Sequence, residues 1–248
     1  CGNRAVSIVE LYAGIVAFSF AFRCLQIDSR LLTFTELPGC AASYVSSVYK
    51  APNSGPTECA DLSSFRPQIV GITCECAPYT VAGLQRFGED PRAQQVLHSA
   101  QALLDMQPRF FVKESVVQFF TEDADPRHGM YSAFLTKTQV AYKATQPVYV
   151  HDTEAGGSLH RTRGFIFGEE TAVADVLPPW VITPPQLTPA NAHSYLQPLS
   201  SIPSEYIATG TYKRSKVIVA PTAARTPIVV GQLWWGDSST SLQPGVVV

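Results

Sequence analysis

The sequence predicts an α/β fold: a mostly parallel sheet with helices on both faces, followed by a smaller, irregular, mostly-β region. Three observations carry this expectation. Short apolar runs alternate with segments of helical spacing through the first two thirds of the chain. Glu10, Glu36, Cys76 and Glu114 all fall at or just after the ends of such runs, and ligands on parallel sheets bind beyond the carboxyl ends of the strands. From about Pro178 the helical periodicity fades among Pro, Thr and Ser. We therefore divide the chain into residues 1–177 and 178–248.

Val6–Leu11 is an apolar run of strand length that contains an acid near its end. Ala13–Gly14 makes a turn into an apolar helix over Val16–Cys24. Leu31–Thr35 is a second short strand, ending at Glu36, and Ala41–Tyr49 reads as the helix after it. Pro67–Ile72 reads as a third, buried strand. Arg92–Met106 has helical spacing, with Val96, Leu97, Ala100, Leu103 and Leu104 on one side. Phe110–Val112 is a strand running into Lys113–Glu114. Arg161 and Arg163 alternate on a further strand, and Val217–Ala220 and Ile228–Leu233 are strands of the last region. No internal repeat is present.

Bulk properties bound the function. With 248 residues, 46% hydrophobic and 15% charged, the chain can bury a large core and is not of disordered composition. A net charge of −2 announces no nucleic-acid partner, but such a partner requires only a local basic stripe. Arg161–Arg163 and Lys213–Arg214–Lys216 are the best local stripes. The six cysteines, Cys1, Cys24, Cys40, Cys59, Cys74 and Cys76, follow no zinc spacing, and no metal is expected. So few cysteines in a chain this long do not make a disulfide scaffold, which favours a reduced, intracellular setting. Ala5–Phe22 is apolar but short for a bilayer and interrupted by Glu10, so a strand, turn and helix are expected there and no membrane partner. No signal-peptide pattern is present.

The chemistry-bearing residues lie in ordered segments. GITCECAPYTVAG spans Gly71 to Gly83 and is followed by Gly88, Asp90, Pro91 and Arg92. PRFFVKESV spans Pro108 to Val116. Upstream stand SIVELYAGIVAFSFAF from Ser7, FTELPGCAASY from Phe34 and ADL at Ala60–Leu62; downstream stands GGSLHRTRGFIFG from Gly156. In this order they resemble the motifs of cytosine-5 DNA methyltransferases, over roughly Ser7 to Gly168. The first segment is similar to the family's Pro-Pro-Cys-Gln-Pro-Phe-Ser-x-Ala-Gly loop, with Cys76 on the nucleophile, Tyr79 on the Phe and Thr80 on the Ser. Glu114 matches the glutamate of Glu-Asn-Val, and Arg161 and Arg163 match the arginines of Gln-x-Arg-x-Arg.

The resemblance implies a Rossmann-like, S-adenosylmethionine-dependent methyltransferase sheet followed by part of a target-recognition region. Carbon 5 of cytosine becomes nucleophilic when a thiolate adds to C6, so the implied chemistry is attack by Cys76 with Glu114 at N3, on a base flipped out of DNA. Arg161 and Arg163 would hold the pocket. Tyr12, Gly14, Phe18, Glu36, Asp61, Leu62 and Pro78 would seat S-adenosylmethionine. Thr80, Gly83, Arg92, Lys213, Arg214 and Lys216 would contact nucleic acid. The implied location is the nucleus in a eukaryote, or the cytoplasm and nucleoid in a bacterium.

Several positions depart from the family pattern. Val16 and Ala17 replace two glycines, and side chains there are expected to crowd the donor or displace the loop. Glu75 precedes Cys76 where the family has proline, and a carboxylate there opposes thiolate formation. Cys74 adds a second thiol, Ala77 replaces a polar residue, Ser115 replaces the Asn after the glutamate, and Leu159 replaces a Gln. The Gly-Asn-Ser helix that closes the family's donor site has no match; GDSS at Gly236–Ser239 is a poor one. A missing segment or a second chain would then complete that site. Plain structural roles compete throughout: Glu10 and Glu36 as caps, Asp61 as a loop acid, Lys213, Arg214 and Lys216 as a solvated face, Trp234–Trp235 as packing residues. Two other functions stay open, a catalytically impaired binding or regulatory subunit and a tRNA cytosine-5 methyltransferase.

Overall fold

The computed structural model describes residues 5–80, 85–121, 126–153, 155 and 161–174. Seven strands, β1 (Val6–Leu11), β2 (Ser29–Thr35), β3 (Ile69–Ile72), β4 (Phe110–Val116), β5 (Tyr142–Ala144), β6 (Val148–His151) and β7 (Thr162–Glu170), form a sheet of order β2-β1-β3-β4-β7-β5, with β6 joined off this path to β7. The helices are α1 (Ala17–Cys24), α2 (Cys40–Tyr49), α3 (Gln95–Met106), α4 (Val117–Phe120), α5 (Met130–Thr138) and α6 (Thr171–Ala174). β1 runs parallel to β2 and β3, and β3 runs parallel to β4, while β5 pairs antiparallel with β7. This is the α/β architecture expected, with the strand–helix alternation intact up to β4.

The alternation of side chains along β1 explains why both faces are covered. Val9 and Leu11 point to one side, into a cluster with Val70, Ile72, Ala100, Leu103, Met106, Phe111 and Phe134, contributed by β3, β4, α3 and α5. Ile8 points to the other side, into a smaller cluster with Val16, Leu31, Phe34, Ala42 and Val45 from β2, α2 and the turn before α1. Leu31 and Phe34 are three apart yet share a face. The β1–β2 register shifts between Ile8 and Val9, so that Ile8 pairs with Leu31 and Val9 with Thr33, and this irregularity rephases β2. Each fully buried Ile, Leu or Phe contributes about 1.5–3 kcal/mol by leaving water.

Three details differ from the sequence reading. β4 continues through Glu114 to Val116 because Phe111, Lys113 and Ser115 are all buried on one face. Arg92 lies in a 3₁₀ turn, Pro91–Gln94, and α3 starts only at Gln95, since Pro91 opens the turn and Asp90 caps it. Helix α5 and strands β5 and β6 were not anticipated; they are short, at 9, 3 and 4 residues. Ala5–Phe22 folds as strand, turn and helix, and among the described residues no helix is long and apolar enough to cross a membrane. The described residues fall into two units, one of 5–149 with 164–174 and one of 150–153, 155 and 161–163.

Candidate active site at the switch point of the sheet

The chain leaves β1 toward β2 on one side and later returns to place β3 on the other side. The loops after β1 and β3 therefore diverge from adjacent strand ends, and that divergence opens the crevice where ligands of such sheets bind. The two loops are tied at their roots. Thr73 N–H donates to the Leu11 carbonyl at 3.2 Å, and the Thr73 hydroxyl donates to the Tyr12 carbonyl at 2.8 Å.

The loop after β1 is held by the end of β2. The N–H groups of Tyr12, Ala13 and Gly14 donate in turn to Thr35 Oγ1, the Thr35 carbonyl and Glu36 Oε2, at 3.0, 2.9 and 2.7 Å. Tyr12, Gly14 and Val16 all take left-handed backbone, with φ of 55°, 53° and 57°. Val16 is not in the crevice: its side chain is fully buried in the smaller core cluster, while Ala17 is exposed. The crowding expected from these two residues is thus absent on the Val16 side. A β-branched residue in this conformation carries strain of about 1–2 kcal/mol. Open space remains above Gly14.

Glu10 is a structural cap. Its carboxylate accepts from Ser19 N–H at 2.7 Å and Phe18 N–H at 3.3 Å, the second and third residues of α1, where Val16 offers no capping side chain. Burial pushes its carboxyl above the usual range, and the bonds from Ser19 and Phe18 oppose that shift. Phe18 itself is half-buried and lays its ring over Gly71 of β3, leaving no room for a Cβ there.

Glu36 is half-buried at the end of β2, with Oε1 accepting from Leu37 N–H at 2.9 Å and Oε2 from Gly14 N–H. It therefore caps the turn, yet each carboxylate oxygen retains a lone pair for a hydroxyl. Asn53 fixes this corner by bonding the backbone N–H and carbonyl of Glu36, at 3.2 and 3.0 Å. No sequence motif pointed to Asn53. Asp61 is exposed and accepts from the Ser63 N–H and hydroxyl, which lower its carboxyl below the usual range. Those bonds close a local turn. Leu62 packs into the large core cluster.

The loop after β3 is fixed by side chains. Arg92 bonds both oxygens of Asp90, Nε to Oδ1 at 2.9 Å and Nη2 to Oδ2 at 2.7 Å, and its Nη1 reaches Glu75 Oε1 at 2.7 Å. The charge of Glu75 is thus directed to Arg92, a partner that reading Glu75 only as a neighbour of Cys76 had missed. The guanidinium of Arg92, expected at nucleic acid, is committed to these two acids. Arg92 also holds Asp90 low, at about 2. Glu75 N–H donates to Gln95 Oε1 at 3.0 Å. Tyr79 N–H donates to the Cys76 carbonyl at 2.9 Å, closing a turn around the candidate nucleophile. The ring of Tyr79 is buried edge-on to Phe119, with centroids 5.2 Å apart, and burial, then Cys74, raises its phenol above the usual range. Burial and then Cys74 act on the Tyr12 phenol in the same sense. Pro78 is buried, and its carbonyl accepts from Phe87 N–H at 3.0 Å.

Cys76 is half-buried, whereas Cys74 is buried and faces Lys113. Of the two thiols, Cys76 is the one open to a substrate. Glu114 is half-buried near the end of β4. Thr80 is half-buried at the end of the described loop. Arg161 is exposed, and Arg163 is half-buried with Nη1 on the Thr162 carbonyl at 3.0 Å; both belong to the second unit. Gly83, Lys213, Arg214 and Lys216, with the rest of the predicted recognition region, lie outside the described residues. No group of acids, histidines and cysteines among the described residues is arranged to hold a metal ion.

No protein-family profile matches the chain. Its sequence is similar to the type II methyltransferase M.NlaX of Neisseria lactamica, 26% identical over 191 residues, covering 68% of this chain and 59% of that protein. It is also similar to the orphan methyltransferase M.Rho11sI of Bacillus phage rho11s, 28% identical over 122 residues, covering 47% of this chain and 24% of that protein. The chain thus spans between about a quarter and three fifths of these relatives. In structure it resembles the S. pombe Dnmt2 methyltransferase, with a TM-score of 0.61 and 13% identity over 90% of this chain and 70% of that one. The fold is that of the Rossmann-like methyltransferases.

Proposed function

We propose that this chain carries the catalytic core of an S-adenosylmethionine-dependent DNA methyltransferase that acts on carbon 5 of cytosine. One observation carries the reading: the loop bearing Cys76 and the loop bearing Gly14 flank a single switch point and are bonded to each other through Thr73. The order of the motifs and the methyltransferase relatives support it.

The donor side fits S-adenosylmethionine. There is open space at Gly14, a half-buried carboxylate at Glu36 and a half-buried aromatic ring at Phe18. Gly14, Glu36 and Phe18 would seat the donor, with Tyr12 and Pro78 shaping its walls and Asp61 and Leu62 at its edge. S-adenosylmethionine supplies the methyl group. Cys76 Sγ adds to C6 of the flipped base, and the bond order lost there appears as electron density at C5. Glu114 hydrogen-bonds at N3 and offsets the charge that builds in the ring. Arg161 and Arg163 steady the base pocket, and Thr80, Gly83, Lys213, Arg214 and Lys216 meet the nucleic acid. In this scheme Arg92 acts indirectly, through Glu75.

The test is a mechanism-based trap. Duplex DNA containing 5-fluorocytosine, incubated with the protein and S-adenosylmethionine, is expected to give a covalent complex that Cys76→Ser does not form. A complex that survives Cys76→Ser removes Cys76 from its role. Folded wild-type chain that neither traps this DNA nor binds S-adenosylmethionine in calorimetry is instead the non-catalytic subunit. Trapping on tRNA in place of DNA moves the same chemistry to RNA.

A further inference from the structure

The Lys113 side chain is completely buried on β4, facing the large core cluster. Moving an ammonium out of water costs several kcal/mol unless it is paired. No carboxylate lies within ion-pair distance of Lys113 among the described residues. Its Nζ instead sits 3.4 Å from Cys74 Sγ, with the Phe119 and Phe134 ring centroids 4.9 and 5.4 Å away. The sulfur is enclosed on its other side by α3, with the Gln95 carbonyl at 3.7 Å and the Ser99 hydroxyl at 3.8 Å. The Lys113 nitrogen and the Cys74 sulfur are therefore held face to face in a buried site.

We propose that Cys74 and Lys113 form an oxidation-dependent covalent link in which one oxygen atom bridges Sγ and Nζ. Peroxide is the oxidant. A first molecule of hydrogen peroxide converts the Cys74 thiol to a sulfenic acid and releases water. A second oxidises the sulfenic acid and amine together. The N–O bond forms, one N–H and the O–H break, and two further waters leave. The product is Lys–NH–O–S–Cys, with three waters for two peroxides. Four small-molecule thiols reverse it to amine, thiol and water, and leave as two disulfides. Hydrogen-bond contact between Nζ and Sγ means that closure needs only a small adjustment of the flexible Lys113 stem.

The link would tie together the two sides of the site. Cys74 stands two residues before Cys76, and Lys113 directly precedes Glu114. A bridged protein has its nucleophile loop pinned to β4, so the linkage controls access of Cys76 to a base; this consequence rests on the function proposed above, whereas the linkage itself does not.

The full chain, treated with graded hydrogen peroxide, digested without reductant and mapped by mass spectrometry, is expected to yield a cross-linked peptide pair joining Cys74 to Lys113. The pair carries one added oxygen and lacks two hydrogens, and it disappears after dithiothreitol. Cys76→Ser must still form it, which separates this inference from the fate of the enzyme reading. Cys74→Ser and Lys113→Met must not. Oxidised wild-type protein showing a Cys74–Cys76 disulfide, or sulfinic acid at Cys74 with an unmodified Lys113, overturns the proposal.

Discussion

The loop after β1 and the loop after β3 begin on neighbouring strands and lean on each other at Thr73, but they are stabilised by different means. The first is held through its own main-chain donors, whose acceptors are the Thr35 hydroxyl and carbonyl and the Glu36 carboxylate. Three consecutive N–H groups are spent on Thr35 and Glu36, and a left-handed Val16 turns its side chain into the core. The second is held by side chains: Arg92 between Glu75 and Asp90, Gln95 on the Glu75 N–H, and Lys113 against Cys74. Val16 combines a left-handed backbone with a fully buried side chain, whereas Glu75 and Cys74 each meet a polar side chain distant in sequence. Two neighbouring loops can thus be fixed by different kinds of interaction.

The largest effect is expected where the two regions touch. In Gly71→Ala the new methyl group meets the Phe18 ring, so α1 or the ring must shift. A loss of about 1–3 kcal/mol in denaturant unfolding is expected, together with weaker S-adenosylmethionine binding in calorimetry. Unchanged stability and affinity would mean that the Phe18 contact does not couple the loops.

The strain assigned to the first loop predicts an unusual order of variants. Val16→Ala loses buried methyl groups without relieving the backbone, at a cost of about 2 kcal/mol. Val16→Gly loses slightly more surface but releases about 1–2 kcal/mol of left-handed strain. The glycine variant is therefore expected to be the more stable of the two in chemical denaturation, and the opposite order would show that Val16 is not strained.

The smallest effect belongs to the second loop and depends on pH. Asp90 is held at about 2, below its ordinary 3.8, chiefly by its bond from Arg92. A lowered carboxyl stabilises the fold above its unfolded value and loses that contribution as pH falls through the folded value. Wild type should melt above Asp90→Asn at neutral pH, and the gap should close as the pH is lowered from 3.8 toward 2. A gap that stays constant across this window would show that the Asp90 charge is not what holds the loop.

Sequence reading located β1 to the residue, α1, α2, β2 and β3 within a few residues, and the alternation that makes a parallel sheet. It also placed Cys76 and Glu36 at strand ends on one side of the sheet. These features are local: period-two and period-3.6 apolar patterns and turn residues are written in neighbouring positions. The partners of those residues were not legible. Glu75 and Arg92 are separated by 17 residues, Cys74 and Lys113 by 39, and Glu10 caps a helix 8 to 9 residues on. Glu10 and Glu36 stand at similar strand ends, yet one is buried beneath α1 and the other is half-buried on the turn after β1.

The sequence by itself thus determined the fold class, the course of the first four strands and which residue types stand at their ends, because hydrophobic periodicity and turn chemistry act between near neighbours. Only the tertiary structure decided that Val16 turns inward, that the Glu75 charge meets Arg92, and that a buried lysine faces a thiol. Those outcomes depend on which distant side chain completes a charge or fills a core, and the sheet order that brings such residues together is a property of the whole chain.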